Sequence, residues 1–269
     1  MDQAEVRSRY AGKVEVEWNR LSASPITRIE YMITRHSLEH HLTPPGWILD
    51  VGSGPGRYAI DLAQMGFQVF MFDLLLEMLR FGQTKIAEAG MDRWVTAAVG
   101  DMVTLPYPSN TFDAVVSLGA PLSHLTEAHL RDTAVDEMVR VAKPGGLVFL
   151  TGLNRLACYR GAVFWLTDPT FFEQIIQPEY RDNGIQLGSQ RWYNFTPDEL
   201  EALGQSRGLQ VEDCVGCEGL ANHLPLKNLE QIESKPEYWE AWKEILLETC
   251  REPSIIGISN HLLVIGRKV

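Results

Sequence analysis

Short apolar runs alternating with amphipathic stretches occupy the chain from Trp47 to Thr151, and that rhythm admits few folds. The runs are Ile48 to Val51, Gln68 to Phe72, Val95 to Val99, Ala114 to Leu118 and Leu147 to Thr151, with helices predicted near 57–66, 75–89 and 127–142. Runs this uniformly apolar suit strands buried on both faces. Their alternation with helices implies right-handed crossovers and a parallel sheet. The expected fold class is therefore α/β, with a doubly wound, mostly parallel sheet.

Outside that stretch the pattern changes. Residues 1–45 read as mainly helical, with Ile26, Ile29, Ile33 and Leu38 at roughly helical spacing until Pro44-Pro45 stops the run. Residues 155–194 break the rhythm with Tyr159, Phe164, Trp165, Phe171, Phe172, Tyr180, Trp192 and Tyr193, which marks an insertion. Thr196 then caps a helix opening on Pro197-Asp198-Glu199-Leu200, and a strand follows near Leu209 to Cys214. In a second insertion, the stretch after Pro236 places Trp239, Trp242, Leu246 and Thr249 on one helical face. A strand from His261 to Ile265 closes the chain. For 269 residues this favours one domain, 46–269, with insertions at about 155–195 and 218–258, preceded by a helical extension, 1–45.

Charge and composition exclude several function classes. With 24 Lys and Arg against 35 Asp and Glu, the formal net charge is −11, and no basic run offsets it, so no nucleic-acid partner is expected. The apolar runs fall short of the roughly 20 residues that span a bilayer, and no membrane partner is expected. Residues 1–20 are studded with charges and lack the apolar stretch of a secretory signal, so a cytoplasmic location is expected. The four cysteines, Cys158, Cys214, Cys217 and Cys250, read as reduced thiols. Cys214-x-x-Cys217 is half a zinc motif with no second pair, and no metal is expected.

The chemistry concentrates at Ile48-Leu49-Asp50-Val51-Gly52-Ser53-Gly54-Pro55-Gly56-Arg57, an apolar strand running into a glycine-rich turn before a helix. In a doubly wound sheet such a turn floors the ligand crevice. The dinucleotide fingerprint G-x-G-x-x-G would need glycine at position 57, where this chain has arginine, and Pro55 withholds a backbone donor that a pyrophosphate could use. About 20 residues beyond the turn, Asp73 ends the second strand, the position from which a carboxylate accepts from both ribose hydroxyls. Gly100-Asp101-Met102 then offers a carboxylate for an exocyclic amine and a thioether to pack on a base. Two acids without a basic cluster suit a nucleoside ligand bearing positive charge and no phosphate.

These residues, with Leu105-Pro106-Tyr107-Pro108 before Phe112-Asp113 and Arg140-Val141-Ala142-Lys143-Pro144-Gly145-Gly146, resemble the class I S-adenosylmethionine-dependent methyltransferases, most closely the group that includes quinone-biosynthesis enzymes. The resemblance spans residues 46–153. It implies a seven-stranded Rossmann-like methyltransferase sheet, here with the helical extension and two lid-like insertions, and S-adenosyl-L-methionine as cofactor. Carried over, Asp50 would support the turn and the methionine ammonium, while Gly52, Ser53, Gly54 and Gly56 would line methionine and ribose. Asp73 would hold the ribose diol, Leu74 would pack on adenine, Asp101 would take the adenine amine and the Met102 amide would face the ring. Ser117, Leu118 and Gly119 would face the ammonium and sulfonium. Lys143 to Gly146 would be a turn without chemistry. The family's usual serine two residues after the strand-end acid is missing, so Asp73 is also expected to cap the next helix.

Transfer of a methyl group from a sulfonium rests mainly on alignment and exclusion of water. An amine or thiolate acceptor needs no base, whereas a hydroxyl does. His124, just beyond the fourth strand, is the candidate. Tyr10 and Trp18 of the extension and Trp165, Trp192 and Tyr193 of the first insertion are candidates for contact with a small-molecule methyl acceptor. A monomer or homodimer is expected. Two other readings use the same pocket: a non-methyl transfer or cyclisation drawing on the cofactor, or a non-catalytic module that only binds it.

Overall fold

The computed structural model describes residues 3–164, 169–186 and 191–269. Three helices, α1 (Gln3–Tyr10), α2 (Val14–Asn19) and α3 (Pro25–His41), precede the sheet. Only α3 carries a strong start signal: Ser24 Oγ accepts from the Thr27 amide at 3.3 Å, the Thr27 hydroxyl accepts from the Ser24 amide at 3.1 Å, and Pro25 fills the first turn. Ile29, Ile33 and Leu38 form its buried stripe, as the spacing predicts.

The βα series then runs β1 (Trp47–Val51), α4 (Arg57–Gln64), β2 (Gln68–Asp73), α5 (Leu76–Glu88), β3 (Val95–Val99), β4 (Phe112–Ser117), α6 (Ala128–Val141) and β5 (Ala142–Asn154). The first insertion supplies α7 (Arg155–Phe164), α8 (Pro169–Ile175), α9 (Pro178–Asn183), β6 (Ile185–Gln186) and β7 (Trp192–Phe195). After it come α10 (Pro197–Ser206), β8 (Leu209–Gly216), α11 (Leu226–Glu233), α12 (Pro236–Thr249), α13 (Pro253–Ile256) and β9 (His261–Lys268). Thr196 caps α10 through a reciprocal pair with Glu199, 3.2 Å and 2.9 Å.

Strands β3, β2, β1, β4 and β5 lie side by side in parallel; β9 pairs antiparallel with β5, and β8 antiparallel with β9. Those seven are the expected doubly wound sheet, with strand order reversing between β1 and β4. The first insertion extends it, because β7 pairs with the end of β5 at Leu153 and Asn154 and carries β6 as a short hairpin. Lys143 to Gly146 bulge out of β5, since Phe112 faces Ala142 while Ala114 faces Leu147, which accounts for their reading as a turn.

Each face of the sheet has its own core. One is built from α3, α4 and α5 and the other from α6 and α10. Leu229 of α11 and Leu246 of α12 are buried in the first core, with Trp239 and Trp242 half-buried against it. Arg28 of α3 also bonds Glu233. The expected helical face of 236–249 therefore exists: α12 packs on α11 and the turn at Gly219, and α11 in turn packs on α3 of the N-terminal extension. Cys214 packs in one core and Cys217 in the other, on opposite faces of the sheet, and the pair cannot chelate one ion.

Candidate functional site

A cleft opens at the carboxyl ends of β1, β2, β3 and β4, where the sheet reverses direction, and α1 and α2 roof it. Its floor is made by the glycine turn. Gly52 at φ +74° and Gly56 at φ +79° adopt the left-handed region. A Cβ on Gly52 would meet the Pro121 ring at 2.7 Å, and one on Gly56 would meet the Met71 thioether at 2.9 Å. Any side chain at either position would be strained, by the positive φ at both and by the Pro121 ring at Gly52. A Cβ on Gly54 would meet nothing within 4 Å, because that surface faces the open cleft.

Asp73 ties the floor together. Its carboxylate accepts from the Gly54 amide and from the Leu75 amide, each at 2.8 Å, and its own carbonyl accepts from Gly100 at 3.0 Å. The helix cap expected of it is not made, since Leu75 is the N-cap of α5 and no side chain caps that helix; one oxygen instead steadies the approach to α5 and the other the glycine turn. Burial raises its pKa against those two amides. Asp50, fully buried beneath the turn, is pushed up to about 7 by burial and by Asp73. A cationic ligand is the natural remedy for two crowded acids.

The structure brings most of the expected cofactor residues to one surface. Gly52, Ser53, Gly54, Asp73 and Leu74 line the cleft on one side of the switch point, and Asp101, Met102, Leu118 and Gly119 line the other. Asp50, Gly56 and Ser117 support it from below. Asp101 accepts from the Val103 amide at 3.1 Å and from the Gln3 side-chain amide at 2.7 Å. Gln3 thus occupies the carboxylate oxygen to which an adenine amine would donate, and α1 covers that end of the cleft.

Arg20 was missed by sequence reasoning. It lines the cleft with its guanidinium 3.2 Å from where a Gly119 Cβ would stand. Glu30 grips it through both oxygens at 3.0 and 2.9 Å, and Glu17 holds Nε at 3.0 Å. Burial opposes its charge, but Glu30 and Glu17 more than offset this and raise its pKa. Behind Glu30, His261 donates to Glu218 at 2.5 Å and Ser259 donates to the same carboxylate at 2.9 Å. The ligand atoms of Glu30, Glu218 and His261 lie within 4.8 Å of one another, yet these bonds and Arg20 already engage them, and the trio acts as an anchor for Arg20. The only signal in the sequence was an arginine within the extension that precedes the first strand.

At the other end of the cleft, His124 meets Arg9 and Tyr10. Arg9 Nη1 lies 3.1 Å from His124 Nδ1, and the Tyr10 hydroxyl lies 3.0 Å from His124 Nε2. Trp192 lies against the imidazole with ring centroids 4.4 Å apart, and Arg9 sits 4.0 Å above that indole. Burial and then Arg9 depress the His124 pKa to about 3. The base expected at His124 is therefore already hydrogen-bonded at both nitrogens.

The remaining acceptor candidates divide. Tyr10 lines the cleft, and Trp192 reaches it only through His124. Trp18 does not line it: its indole packs edge-on against Phe81 of α5, with Arg57 5.0 Å above it, because that face of α2 turns toward α5. Tyr193 is likewise corrected to a packing residue, under the Arg131 guanidinium at 3.4 Å and donating to Glu199 at 3.3 Å. Trp165 lies outside the described residues.

The residues present fit an adenosyl sulfonium cofactor. The buried hydroxyls of Ser53 and Ser117 have no partner among the described residues, Gly54 leaves open backbone, and the donor set pairs strand-end acids with the cations of Arg57 and of Arg20, the latter anchored by Glu30 and Glu17. Asp73 would hold the ribose, Asp101 the base, and Arg20 the carboxylate of the amino-acid end.

Comparison with known proteins agrees with this geometry. A family model described as a methyltransferase domain matches residues 48–146. The ubiquinone biosynthesis O-methyltransferase of Xanthomonas axonopodis pv. citri is 28% identical over 213 residues, 78% of this chain and 78% of the relative. The demethylmenaquinone methyltransferase of Anoxybacillus flavithermus is 38% identical over 103 residues, 37% of this chain and 41% of the relative. Among solved structures, a SAM-dependent methyltransferase from Methanosarcina mazei has a TM-score of 0.61 at 17% identity, covering 87% of this chain and 97% of its own, a likeness of fold. The domain match, these relatives and the shared fold support a class I S-adenosylmethionine-dependent methyltransferase, with S-adenosylmethionine as its cofactor.

Proposed function

We propose that this enzyme methylates a small, largely apolar acceptor of the kind its relatives handle in quinone biosynthesis, at oxygen or at an activated carbon. The observation that carries the reading is continuity: one cleft runs from Asp73 and Asp101 past Arg20 to Tyr10, His124 and Leu125. The cofactor supplies an electrophilic methyl group when bound. The chain's part is to hold that group in line with the acceptor and keep water out, which can supply about 7–11 kcal/mol of the barrier reduction in favourable cases. Val6, Leu21, Leu118, Pro121 and Leu125 give the cleft its apolar wall. No helix among the described residues is long and apolar enough to cross a membrane.

The test is product analysis. Protein incubated with methyl-labelled cofactor and a panel of demethylated quinone precursors should yield S-adenosylhomocysteine in step with labelled acceptor. Release of methylthioadenosine would point to a different bond being broken, and binding of cofactor without turnover on any acceptor would point to a sensor.

A further inference from the structure

The acceptor end of the cleft has its proton positions fixed by its partners. A guanidinium can only donate, so His124 Nδ1, 3.1 Å from Arg9, is an acceptor. The ring of a neutral histidine then carries its hydrogen on Nε2, which donates to the Tyr10 oxygen at 3.0 Å. With that oxygen serving as acceptor, the phenolic hydrogen has no partner among the described residues, on a side chain that lines the cleft. Arg9 is itself pinned: Nη2 donates to the Arg191 carbonyl at 3.2 Å, Glu5 lies 3.7 Å away and the Trp192 face lies beneath it. The chain of donors therefore runs one way, from a buried cation through an imidazole to a phenol.

We propose that Tyr10 orients the methyl acceptor by donating its phenolic hydrogen to an acceptor oxygen that arrives already ionised, a phenolate or enolate, with His124 and Arg9 as positioning residues. The proposal rests on the methyltransferase reading above. Its chemistry follows from counting lone pairs. A neutral amine has one lone pair, and a hydrogen bond to it blocks the attack; a phenolate or enolate oxygen keeps others free for the methyl group, or shares its charge with a neighbouring carbon. A donor here thus favours oxygen and enolate-carbon nucleophiles over amines.

Among the described residues lining the cleft, each candidate base is already engaged. His124 is held neutral and capped at both nitrogens. Burial, then Glu17, raises Tyr10 to about 12, with Arg9 and Arg20 opposing and Asp73 adding to the rise, so it stays a phenol. The other acids lining the cleft are engaged, Glu17 by Arg20, Asp73 by Gly54 and Leu75, and Asp101 by Gln3 and Val103.

Two measurements on the full-length protein saturated with S-adenosylhomocysteine test this. Nitrogen-15 NMR of the histidine rings, with His124 assigned by its disappearance in His124→Gln, should show a neutral ring protonated at Nε2 between about pH 6 and pH 8, where an unperturbed histidine titrates. An Nδ1-protonated ring or an imidazolium overturns the proposal. The second probe is 4-nitrophenol, whose anion absorbs in the visible. Bound at a pH where the free dye is mostly neutral, it should show the anion's spectrum. Tyr10→Phe should weaken that binding about tenfold, a change of about 1.4 kcal/mol, while leaving S-adenosylhomocysteine affinity within twofold. His124→Gln, whose amide can still donate to Tyr10, should keep the anion spectrum, and His124→Ala should lose it. A dye bound as the neutral phenol, not bound, or bound equally by Tyr10→Phe overturns the proposal alone. A protein that fails to take up S-adenosylhomocysteine overturns the methyltransferase reading with it.

Discussion

The two ends of the cleft are built by different means. The cofactor end is mostly backbone: left-handed glycines, amides and strand-end acids from the βα series, joined by hydrogen bonds such as Gly54 to Asp73 and Gly100 to Asp73, with Arg20 and Gln3 reaching in from the extension. The acceptor end is side chains from distant segments: Arg9 and Tyr10 from α1, His124 from the turn after β4, and Trp192 from β7. A backbone site is rigid and fixed by local sequence. A side-chain site is adjustable and depends on how an extension and an insertion dock.

The largest effect expected lies at the cofactor end and is electrostatic. Asp50 titrates near 7 in the folded protein against an ordinary carboxylate value near 3.9. Between those values the folded state holds the extra proton, so the contribution to stability is full below about pH 4 and is lost as pH rises through 7. The difference corresponds to about 4 kcal/mol. The ligand-free protein should therefore lose stability between about pH 4 and pH 7, and Asp50→Asn should flatten that slope, as read by urea unfolding at several pH values. An unchanged slope in the variant would remove Asp50 as its source. A cationic cofactor should also release a proton from this site on binding near neutrality, measurable by calorimetry in buffers of different ionisation enthalpy.

Next is Asp73→Ala. It removes two backbone bonds to a carboxylate and the ribose acceptor, and bonds to charged groups contribute about 1.5–3 kcal/mol each. S-adenosylhomocysteine affinity should fall roughly 100-fold, by about 3 kcal/mol. A loss under threefold in titration calorimetry would mean that the ribose lies elsewhere. Asp101→Ala should cost less, because its partner Gln3 has to be displaced for the base to enter.

This contrast also explains what was legible in the sequence. Gly52, Gly56 and Asp73 announce themselves because left-handed backbone and a strand-end acid restrict residue type locally. The capping pair of Thr196 and Glu199 is legible for the same reason, and so is the apolar stripe of α3. Arg20 gave little signal, since its role depends on Glu30, ten residues away, and on how the extension lies over Gly119. His124 read as a base because nothing near it in sequence shows Arg9, 115 positions earlier, taking its lone pair. Aromatic density alone could not separate Trp192, which meets His124, from Tyr193 beside it, which points into the Arg131 and Glu199 packing. Neighbours on a strand face opposite ways, and the hairpin's register decides which one turns toward the cleft.

At the acceptor end, Trp192→Ala removes the face that supports both His124 and Arg9. A partly buried cation–π contact contributes about 0.5–2 kcal/mol. The acceptor KM should rise about tenfold while S-adenosylhomocysteine affinity stays within threefold. Equal losses of both would show that the two ends are one cooperative unit and would undo the contrast.

The smallest effect sharpens the boundary between them. Trp18 belongs to the extension and was a candidate for substrate contact, yet it packs outside the cleft against Phe81, Arg57 and Lys85. Trp18→Ala should reduce stability by about 0.5–1 kcal/mol, the scale of an exposed cation–π contact. Cofactor affinity and acceptor KM should both remain within about twofold, because α2 keeps its hold on the cleft through Glu17 and Arg20 and not through the indole. A selective rise in acceptor KM would place Trp18 at the mouth of the acceptor end. That end would then extend over α2 as well as α1, and the roof would have to move as one piece when substrate enters.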